Sequence, residues 1–462
     1  CAPHKGRVMN PRGANGRPEN PSADALQGFF QETGAAGLFV TGAVHLLKKP
    51  HRKGRQYMKY DFTTIMDRLG KDAIAVDIPS SGSGNGFFAD AKIKDGFSVI
   101  PMWVADMNFP TLPAVSEAIV ERASHPAYGY FQPTEAYFDG IIRWHEERYG
   151  TTGLTKECIG YENGVLGGVV SALKILCRPG DSIVVQSPTY IGFTHCAEDN
   201  GWNLVLNPLL QDEQGVWRID YEDLEKKIAD GKIHTAIFCS PHNPAGRVWE
   251  EWEIRRLMEL YQKYDVYVIS DEIWADLTMP GYRHIPTQMI SDDARTRTIA
   301  FYAPSKTFNL AGLVGSYHVI YNSLLRDRIT KAGAATHYNS MNVLSMHALT
   351  AAYSPEGQEW LDELRQVLKS NLEYAVSFIH DNFAGIRTVM PQGTYMLFLD
   401  CTDWCREHYM TIDDLQKAGI EVGVIWQDGR PFHGDCHIRM NLALPHSLVE
   451  EAFDRLKKYV FV

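Results

Sequence analysis

The sequence predicts an α/β fold whose main sheet is mostly parallel, followed by a smaller α+β domain. Short β-prone apolar runs alternate with helical patterns through the middle of the chain. That order is typical of a parallel sheet covered by helices on both faces. Toward the C-terminus the pattern changes to strands that enclose a helix. The chain has 462 residues, which is more than one small core requires.

The elements follow from the hydrophobic period of each segment. Strands of the main sheet are predicted at residues 182–187, 235–240, 266–270, 298–302 and 315–321. Helices between or beside them are predicted at residues 164–176, 221–229 and 250–264. In the C-terminal part we expect a long helix at 355–382, strands at 394–400 and 437–444, and helices at 412–418 and 447–459.

We divide the chain into four parts. Residues 1–57 are rich in Gly, Pro, Asn and basic residues, so we expect a mostly disordered extension, natural or cloning-derived. Residues 58–110 are predicted to belong to the small domain and to the edge of the functional site. Residues 111–350 form the predicted large domain, and residues 351–462 form the small C-terminal domain.

Composition excludes several function classes. The formal net charge of -11 disfavours nucleic acid and anionic membranes as partners. No apolar run approaches the roughly 20 residues that cross a bilayer, so no membrane partner is expected. The eight cysteines lack the spacing of a disulfide framework or of paired zinc ligands, so we expect free thiols, no metal site and a cytoplasmic location.

Three polar residues follow predicted strands of the main sheet. Asn243, Asp271 and Lys306 come after the runs at 235–240, 266–270 and 298–302. Ligands of α/β proteins bind where the carboxyl ends of parallel strands meet. There a lysine can form an imine with an aldehyde, and an amide can donate a hydrogen bond. An aspartate can hold a metal, act as a base or pair with a buried cation.

Three further signals accompany these residues. Gly164 opens a helix, and the backbone N–H groups that follow, with Val165 and Leu166, favour a phosphate. Tyr190 follows the strand at 182–187 and could stack on a flat ring. Arg439 lies between Ile and Met in a strand-like segment, so it is expected to be partly buried and then to need an anion. An internal salt bridge and a substrate carboxylate both satisfy that need.

The set of candidate residues and their order along the chain resemble those of the aspartate-aminotransferase superfamily of class I/II aminotransferases. These are pyridoxal-phosphate (PLP) enzymes of fold type I, and the resemblance covers about residues 60–462. It implies a large PLP-binding domain with a mostly parallel sheet of seven strands. It also implies that PLP is the cofactor and that Lys306 carries it.

A narrower resemblance is to the MalY/PatB-type cystathionine β-lyase, or C–S lyase, branch. Four segments carry it: 101–109 (PMWVADMNF), 128–130 (YGY), 240–244 (SPHNP) and 303–309 (APSKTFN). Two positions depart from the branch. Asn108 stands where the branch commonly has Asp, and Ser240 stands where it often has Asn.

The resemblance implies a role for each candidate. Lys306, Asp271 and Tyr190 are the catalytic residues: the lysine moves the proton, the aspartate holds the pyridinium and the tyrosine stacks on the ring. Arg439 binds the substrate carboxylate. The implied cofactor-binding residues are Val165, Leu166, Tyr190, Asn243, Asp271, Ser305, Lys306 and, reaching the phosphate across a homodimer, Tyr130 of the partner subunit.

The implied reaction is α,β-elimination of L-cystathionine or a related L-cysteine S-conjugate, giving a thiol, pyruvate and ammonia. Two alternatives stay open. One is a class I/II aminotransferase that passes an amino group to a 2-oxo acid, because both reactions begin with loss of the same proton. The other is a regulatory or binding protein that uses the PLP fold.

Overall fold

A computed structural model describes residues 58–81 and 92–462, so the predicted extension at 1–57 lies outside the described residues. The strands are β1 Ile100–Met102, β2 Ile159–Asn163, β3 Ser182–Ser187, β4 Asn203–Gln211, β5 Trp217–Ile219, β6 Thr235–Cys239, β7 Tyr267–Asp271, β8 Thr298–Tyr302, β9 Gly315–Val319, β10 Met396–Asp400, β11 Val424–Asp428 and β12 His437–Asn441. The helices are α1 Ile74–Ser81, α2 Pro113–Ser124, α3 Glu135–Trp144, α4 Val165–Leu176, α5 Ile191–Glu198, α6 Tyr221–Gly231, α7 Glu251–Lys263, α8 Asp292–Arg297, α9 Pro304–Thr307, α10 Ser323–Thr336, α11 Val343–Ala352, α12 Pro355–Asn382, α13 Thr402–Glu407, α14 Ile412–Glu421 and α15 His446–Tyr459.

The larger sheet has eight strands within the described residues, in the order β2-β9-β8-β7-β6-β3-β4-β5. Its centre is parallel, from β8 through β7, β6 and β3 to β4. Strand β9 runs antiparallel between β8 and β2, and β5 is paired antiparallel with β4 at the edge. The carboxyl ends of the parallel strands therefore meet along one edge of the sheet.

Both faces of this sheet are buried, which explains the near-continuous apolar runs of its strands. In β6, Ile237 points to the face covered by α4, α5 and α10, whereas Ala236 and Phe238 pack with α6 and α7 on the other face. All five residues of β6 and all five of β8 are buried. Helix α7 begins with a capping box in which Glu250 and Glu253 satisfy each other's backbone N–H groups.

The smaller sheet has the order β1-β11-β12-β10 in the part of the chain that is described. Strand β1 comes from the N-terminal segment and pairs in parallel with β11. The long helix α12 packs beside this sheet, with Leu361, Leu364, Leu368 and Leu372 fully buried. Ser354 caps this helix by accepting a hydrogen bond from the backbone N–H of Gly357. No helix among residues 58–81 and 92–462 is long and apolar enough to cross a bilayer.

The predicted fold class is confirmed by this architecture, with differences at element ends. The predicted strand at 266–270 is shifted by one residue, because the ladder with β6 and β8 continues to Asp271. The sheet has eight strands instead of seven, since the short β5 folds back on β4. Strand β9 runs antiparallel to β8, to which a connection of 12 residues joins it. The four-part domain division stays a prediction.

A buried amide ties helix α12 to the end of the smaller sheet. The Nδ2 of Asn371 donates to the carbonyls of Leu442 (2.9 Å) and Leu444 (2.8 Å), and its Oδ1 pairs with His446 Nδ1 at 2.8 Å. Asn371, Leu442 and Leu444 are fully buried. Two buried carbonyls of the backbone beyond β12 therefore accept hydrogen bonds from one side chain.

We predict that Asn371→Ala lowers the free energy of unfolding by about 2 kcal/mol or more. It leaves two buried carbonyls unpaired, and each such group costs about 1–3 kcal/mol. The urea midpoint followed by circular dichroism measures the effect. The control is Gln366→Ala on the exposed face of α12, which should change stability by less than about 0.5 kcal/mol. Equal midpoints for the two variants would contradict the assignment.

Candidate active site

The carboxyl edge of the larger sheet opens into a cavity of about 350 Å³. This volume lies in the range of small-molecule sites, about 300–1,000 Å³. Seven of the eight predicted cofactor-binding residues line it: Val165, Leu166, Tyr190, Asn243, Asp271, Ser305 and Lys306. Residues far apart in the sequence thus line one cavity, because they follow parallel strands whose carboxyl ends meet at the same edge of the sheet.

Lys306 lies in the four-residue helix α9, which begins at Pro304 directly after β8 and Ala303. Its Nζ donates to the carbonyl of Ala105 at 2.8 Å and lies 5.9 Å from the ring centre of Trp274. Burial lowers the pKa of Lys306 to about 8, and the charge of Arg439 acts in the same direction. A substantial neutral fraction near physiological pH makes this amine a nucleophile and a base.

Asp271 ends strand β7 and is 3% exposed. Burial raises the pKa of its carboxyl group to about 7, opposed by a hydrogen bond from the backbone N–H of Ile273 (3.1 Å) and by the charge of Lys306. Among the described residues no cation lies within salt-bridge distance of this carboxylate. A carboxylate buried in this way favours a protonated nitrogen brought by a ligand.

The start of helix α4 forms another wall of the cavity. Gly164 precedes the helix with φ of +86°, a conformation that strains any residue with a Cβ. Helix hydrogen bonding begins with the N–H of Gly168, which donates to the carbonyl of Gly164. The N–H groups of the first turn, at Val165, Leu166 and Gly167, are therefore available to a phosphate.

Arg439 lies in strand β12 of the smaller sheet and contacts Asn243, which lines the cavity. Its Nη1 donates to Asn243 Oδ1 and its Nη2 to the carbonyl of Trp103, each at 3.2 Å. Burial lowers the pKa of Arg439 to about 10. Within the described residues it has no carboxylate partner, and its Nε has no acceptor. Two anionic partners were considered for Arg439, a carboxylate of the protein and a carboxylate of the substrate. The described residues contain no internal salt bridge to Arg439, which leaves the substrate carboxylate.

The two predicted tyrosines lie in different surroundings. Tyr190 lines the cavity and packs edge-on against Phe193, with ring centres 5.5 Å apart. Tyr130 is fully exposed, and it lines a separate surface groove with Tyr128 and Phe131. The structure thus brings Tyr190 to the site and does not bring Tyr130 to the site of its own chain.

The residues that were not predicted include Ala105, Trp274 and Tyr395. The carbonyl of Ala105 accepts hydrogen bonds from Lys306 and, at 3.1 Å, from the hydroxyl of Tyr395. Trp274 lines the cavity and contacts Tyr395 edge-on, with ring centres 4.8 Å apart. The only sequence signals were the place of Ala105 inside the segment 101–109 and that of Trp274 three residues after Asp271.

These features fit PLP. The unpaired buried carboxylate of Asp271 suits a pyridinium nitrogen, and the partly neutral Lys306 suits an aldehyde. The first turn of α4 suits a phosphate, and Asn243 and Tyr190 line the same cavity. Each part of the cofactor thus has a chemically matched group in one cavity.

A family model described as aminotransferase class I and II matches residues 98–456. The chain belongs to this family. It is 34% identical over 361 residues to cystathionine beta-lyase PatB of Bacillus subtilis (strain 168), covering 78% of this chain and 92% of that protein. It is 30% identical over 404 residues to protein MalY of Escherichia coli (strain K12), covering 85% and 96%.

Solved structures give the same result. Cystalysin from Treponema denticola, which contains PLP, matches with a TM-score of 0.79 and 31% identity over 87% of this chain and 98% of that one. The PLP-bound C–S lyase from Staphylococcus hominis matches with a TM-score of 0.78 and 29% identity over 88% and 99%. The predicted superfamily, and the resemblance to its C–S lyase branch, are confirmed.

We predict that the apo-protein captures PLP at Lys306 and that the rate of capture rises with pH. Only the neutral amine attacks the aldehyde, so with a pKa of about 8 the rate should rise about tenfold per pH unit below 8 and level off above it. Timed borohydride quenching followed by peptide mass spectrometry measures the pyridoxyl group on Lys306. Lys306→Arg is the control that should lose this label. A label on a different lysine in the wild-type chain would refute the assignment.

Proposed function

We propose that this chain is a carbon–sulfur lyase that cleaves L-cystathionine or a related L-cysteine S-conjugate by α,β-elimination. Its cofactor is PLP. The observation that carries the proposal is that Lys306 and Asp271 line one cavity while Arg439 contacts Asn243 in its wall. The chain that holds them is similar to cystathionine beta-lyases and C–S lyases over most of its length. The products would be a thiol, pyruvate and ammonia.

Arg439 is positioned to bind the substrate. A guanidinium with no carboxylate partner among the described residues can pair with the α-carboxylate of an amino acid in bidentate fashion. Because Asn243 and the Trp103 carbonyl already hold its two Nη atoms, the group is oriented before substrate arrives. This orientation reduces the entropy lost on binding.

Lys306 is the group that moves the proton. Its Nζ removes the proton from Cα of the substrate and holds it, which a buried amine with a pKa of about 8 can do near neutral pH. PLP, when bound, withdraws the electron pair that is left on Cα. Asp271 would pair with the protonated nitrogen of the bound cofactor and so maintain that withdrawal. A sulfur substituent on Cβ can then leave as a thiolate, which takes up a proton to become the thiol.

An aminotransferase is the second candidate, and the description of the matching family favours it. The first proton removal is common to both reactions, and Arg439 would bind the substrate carboxylate in either. Transamination requires a 2-oxo acid as second substrate, whereas elimination does not. The requirement for that second substrate therefore separates the two activities.

We further propose a homodimer in which Tyr130 completes the site of the other subunit. Tyr130 is fully exposed and lies beside Tyr128 (58% exposed) and Phe131 along one groove. Exposed aromatic side chains grouped in this way are typical of protein interfaces. Twofold dimers are the most common closed oligomers, and one such contact would supply a residue to both sites.

We propose that the protein works in the cytoplasm. All seven cysteines of the described residues are free thiols, and five of them are buried. Reducing compartments keep such thiols reduced, whereas secreted proteins tend to pair them.

We predict that the PLP-loaded protein converts L-cystathionine, or another L-cysteine thioether, to pyruvate and a thiol with no 2-oxo acid added. Coupled assays for pyruvate and free thiol measure both products, with Lys306→Ala as the inactive control. If substrate is consumed only when a 2-oxo acid is supplied, and a new amino acid appears in equal amount, the protein is an aminotransferase. If neither reaction occurs although PLP is bound at Lys306, a regulatory role becomes the better hypothesis.

We predict that two inactive variants restore each other's activity when they are co-expressed. Lys306→Ala lacks the base, and Tyr130→Ala lacks the proposed phosphate contact. A mixed dimer contains one site with an intact Lys306 and an intact Tyr130 of the partner subunit, so lyase activity should return to a fraction of the wild-type value. Size-exclusion chromatography with light scattering confirms the dimer. If Tyr130 acts within its own chain, every mixed site stays defective and no activity returns.

A further inference from the structure

Asp276 is a buried carboxylate close to the site that the proposed mechanism does not use. It is 4% exposed and does not line the cavity. Its Oδ1 accepts hydrogen bonds from Trp144 Nε1 at 3.0 Å and from the hydroxyl of Tyr149 at 2.6 Å. Its Oδ2 accepts from the hydroxyl of Thr307 at 2.8 Å. The second oxygen therefore contacts the residue next to Lys306.

The orientation of Lys306 depends on such side-chain contacts. Helix α9 has only four residues, so its own hydrogen bonds contribute little stability. It is held instead by its neighbours. Thr307 is fully buried against Asp276, and Phe308 is fully buried and packs on Trp360 with ring centres 5.4 Å apart. Of these contacts, the one from Thr307 is polar and therefore directional.

Asp276 also belongs to the segment that carries Asp271. That segment leaves β7 and turns at once, with the N–H of Ala275 donating to the carbonyl of Glu272 at 3.0 Å. Glu272 in turn donates its N–H to the carbonyl of Phe301 in β8 at 2.9 Å. The segment is thus fixed to the sheet, and the contact between Asp276 and Thr307 links it to α9.

We propose that Asp276 is a positioning residue that acts through Thr307. It fixes the position of the Lys306 amine relative to Asp271, so that the distance between the amine and the carboxylate across the cavity stays constant. An ionised acceptor makes this hydrogen bond stronger and shorter than a neutral acceptor would. Arg148, with its Nε 3.6 Å from Oδ1, balances the buried charge. The proposal rests on the proposed function only in assigning Lys306 its proton-moving role.

The experiment compares two substitutions that differ in one hydroxyl group. Thr307→Val keeps the shape of the side chain and removes the donor to Asp276, whereas Thr307→Ser keeps the donor. Tyr149→Phe is the matched control, because it removes a hydrogen bond to the other oxygen of Asp276 and leaves α9 untouched. Each full-length protein is assayed for PLP capture at Lys306, for kcat and KM of the lyase reaction, and for thermal unfolding.

We expect Thr307→Val to slow PLP capture and to lower kcat, each by roughly 10- to 100-fold, because a displacement near 1 Å has effects of that size. KM should change little, since Arg439 is not affected. Thr307→Ser should restore both values. Tyr149→Phe should lower the melting temperature while it keeps the wild-type capture rate and kcat.

Two results would overturn the proposal. One is a Thr307→Val protein that captures PLP at the wild-type rate. The other is a parallel loss in Thr307→Val and Tyr149→Phe that follows their melting temperatures, because Asp276 would then serve stability alone. If the wild-type chain shows no lyase activity, the proposed function fails, yet the capture rate at Lys306 still decides the role of Asp276.

Discussion

Burial of three ionisable groups around one cavity is the constraint on which the site depends. Lys306, Asp271 and Arg439 each lose hydration, and in each case burial is the main cause of the shifted pKa. Groups of this kind usually neutralise one another in a protein interior. Here the described residues leave each of them without an ion-pair partner, so a ligand can supply a cation to Asp271 and an anion to Arg439. Groups fixed in place before the ligand arrives need little rearrangement to act on it.

An irregular segment around Ala105 connects the site to the surrounding structure, and the carbonyl of Ala105 accepts the hydrogen bond of Lys306. The side chain of Asn309 binds the N–H of Met107 at 3.0 Å and its carbonyl at 2.9 Å. Asn441 donates to the carbonyls of Val104 (2.7 Å) and Asp106 (2.5 Å). Two segments that resemble the C–S lyase branch, 101–109 and 303–309, are therefore joined in space although about 200 residues separate them. Together they fix the carbonyl that Lys306 contacts.

Much of the fold was predictable from the sequence because its strands are buried on both faces and read as apolar runs. Asn243, Asp271 and Lys306 were found for a related reason, since each follows such a run. Tyr395 was not found, because it reaches Ala105 from 290 positions away and no local pattern marks it. The alternatives for Arg439 could not be separated by sequence either. They depend on whether an acid lies nearby, which only the packing of the two sheets decides.

Asp271 ends a strand of the eight-stranded sheet and Lys306 lies in α9 just after another of its strands, whereas Arg439 belongs to the four-stranded sheet. Under the proposed function, groups at the larger sheet therefore align the reactive carbon of a substrate, and a group of the smaller sheet binds its carboxylate. These contacts involve the α-carbon and the α-carboxylate, which all α-amino acids share, so they do not distinguish one leaving group from another. Evolution can thus adapt the site to substrates with other leaving groups by changes in the wall of the cavity, while Lys306, Asp271 and Arg439 stay unchanged.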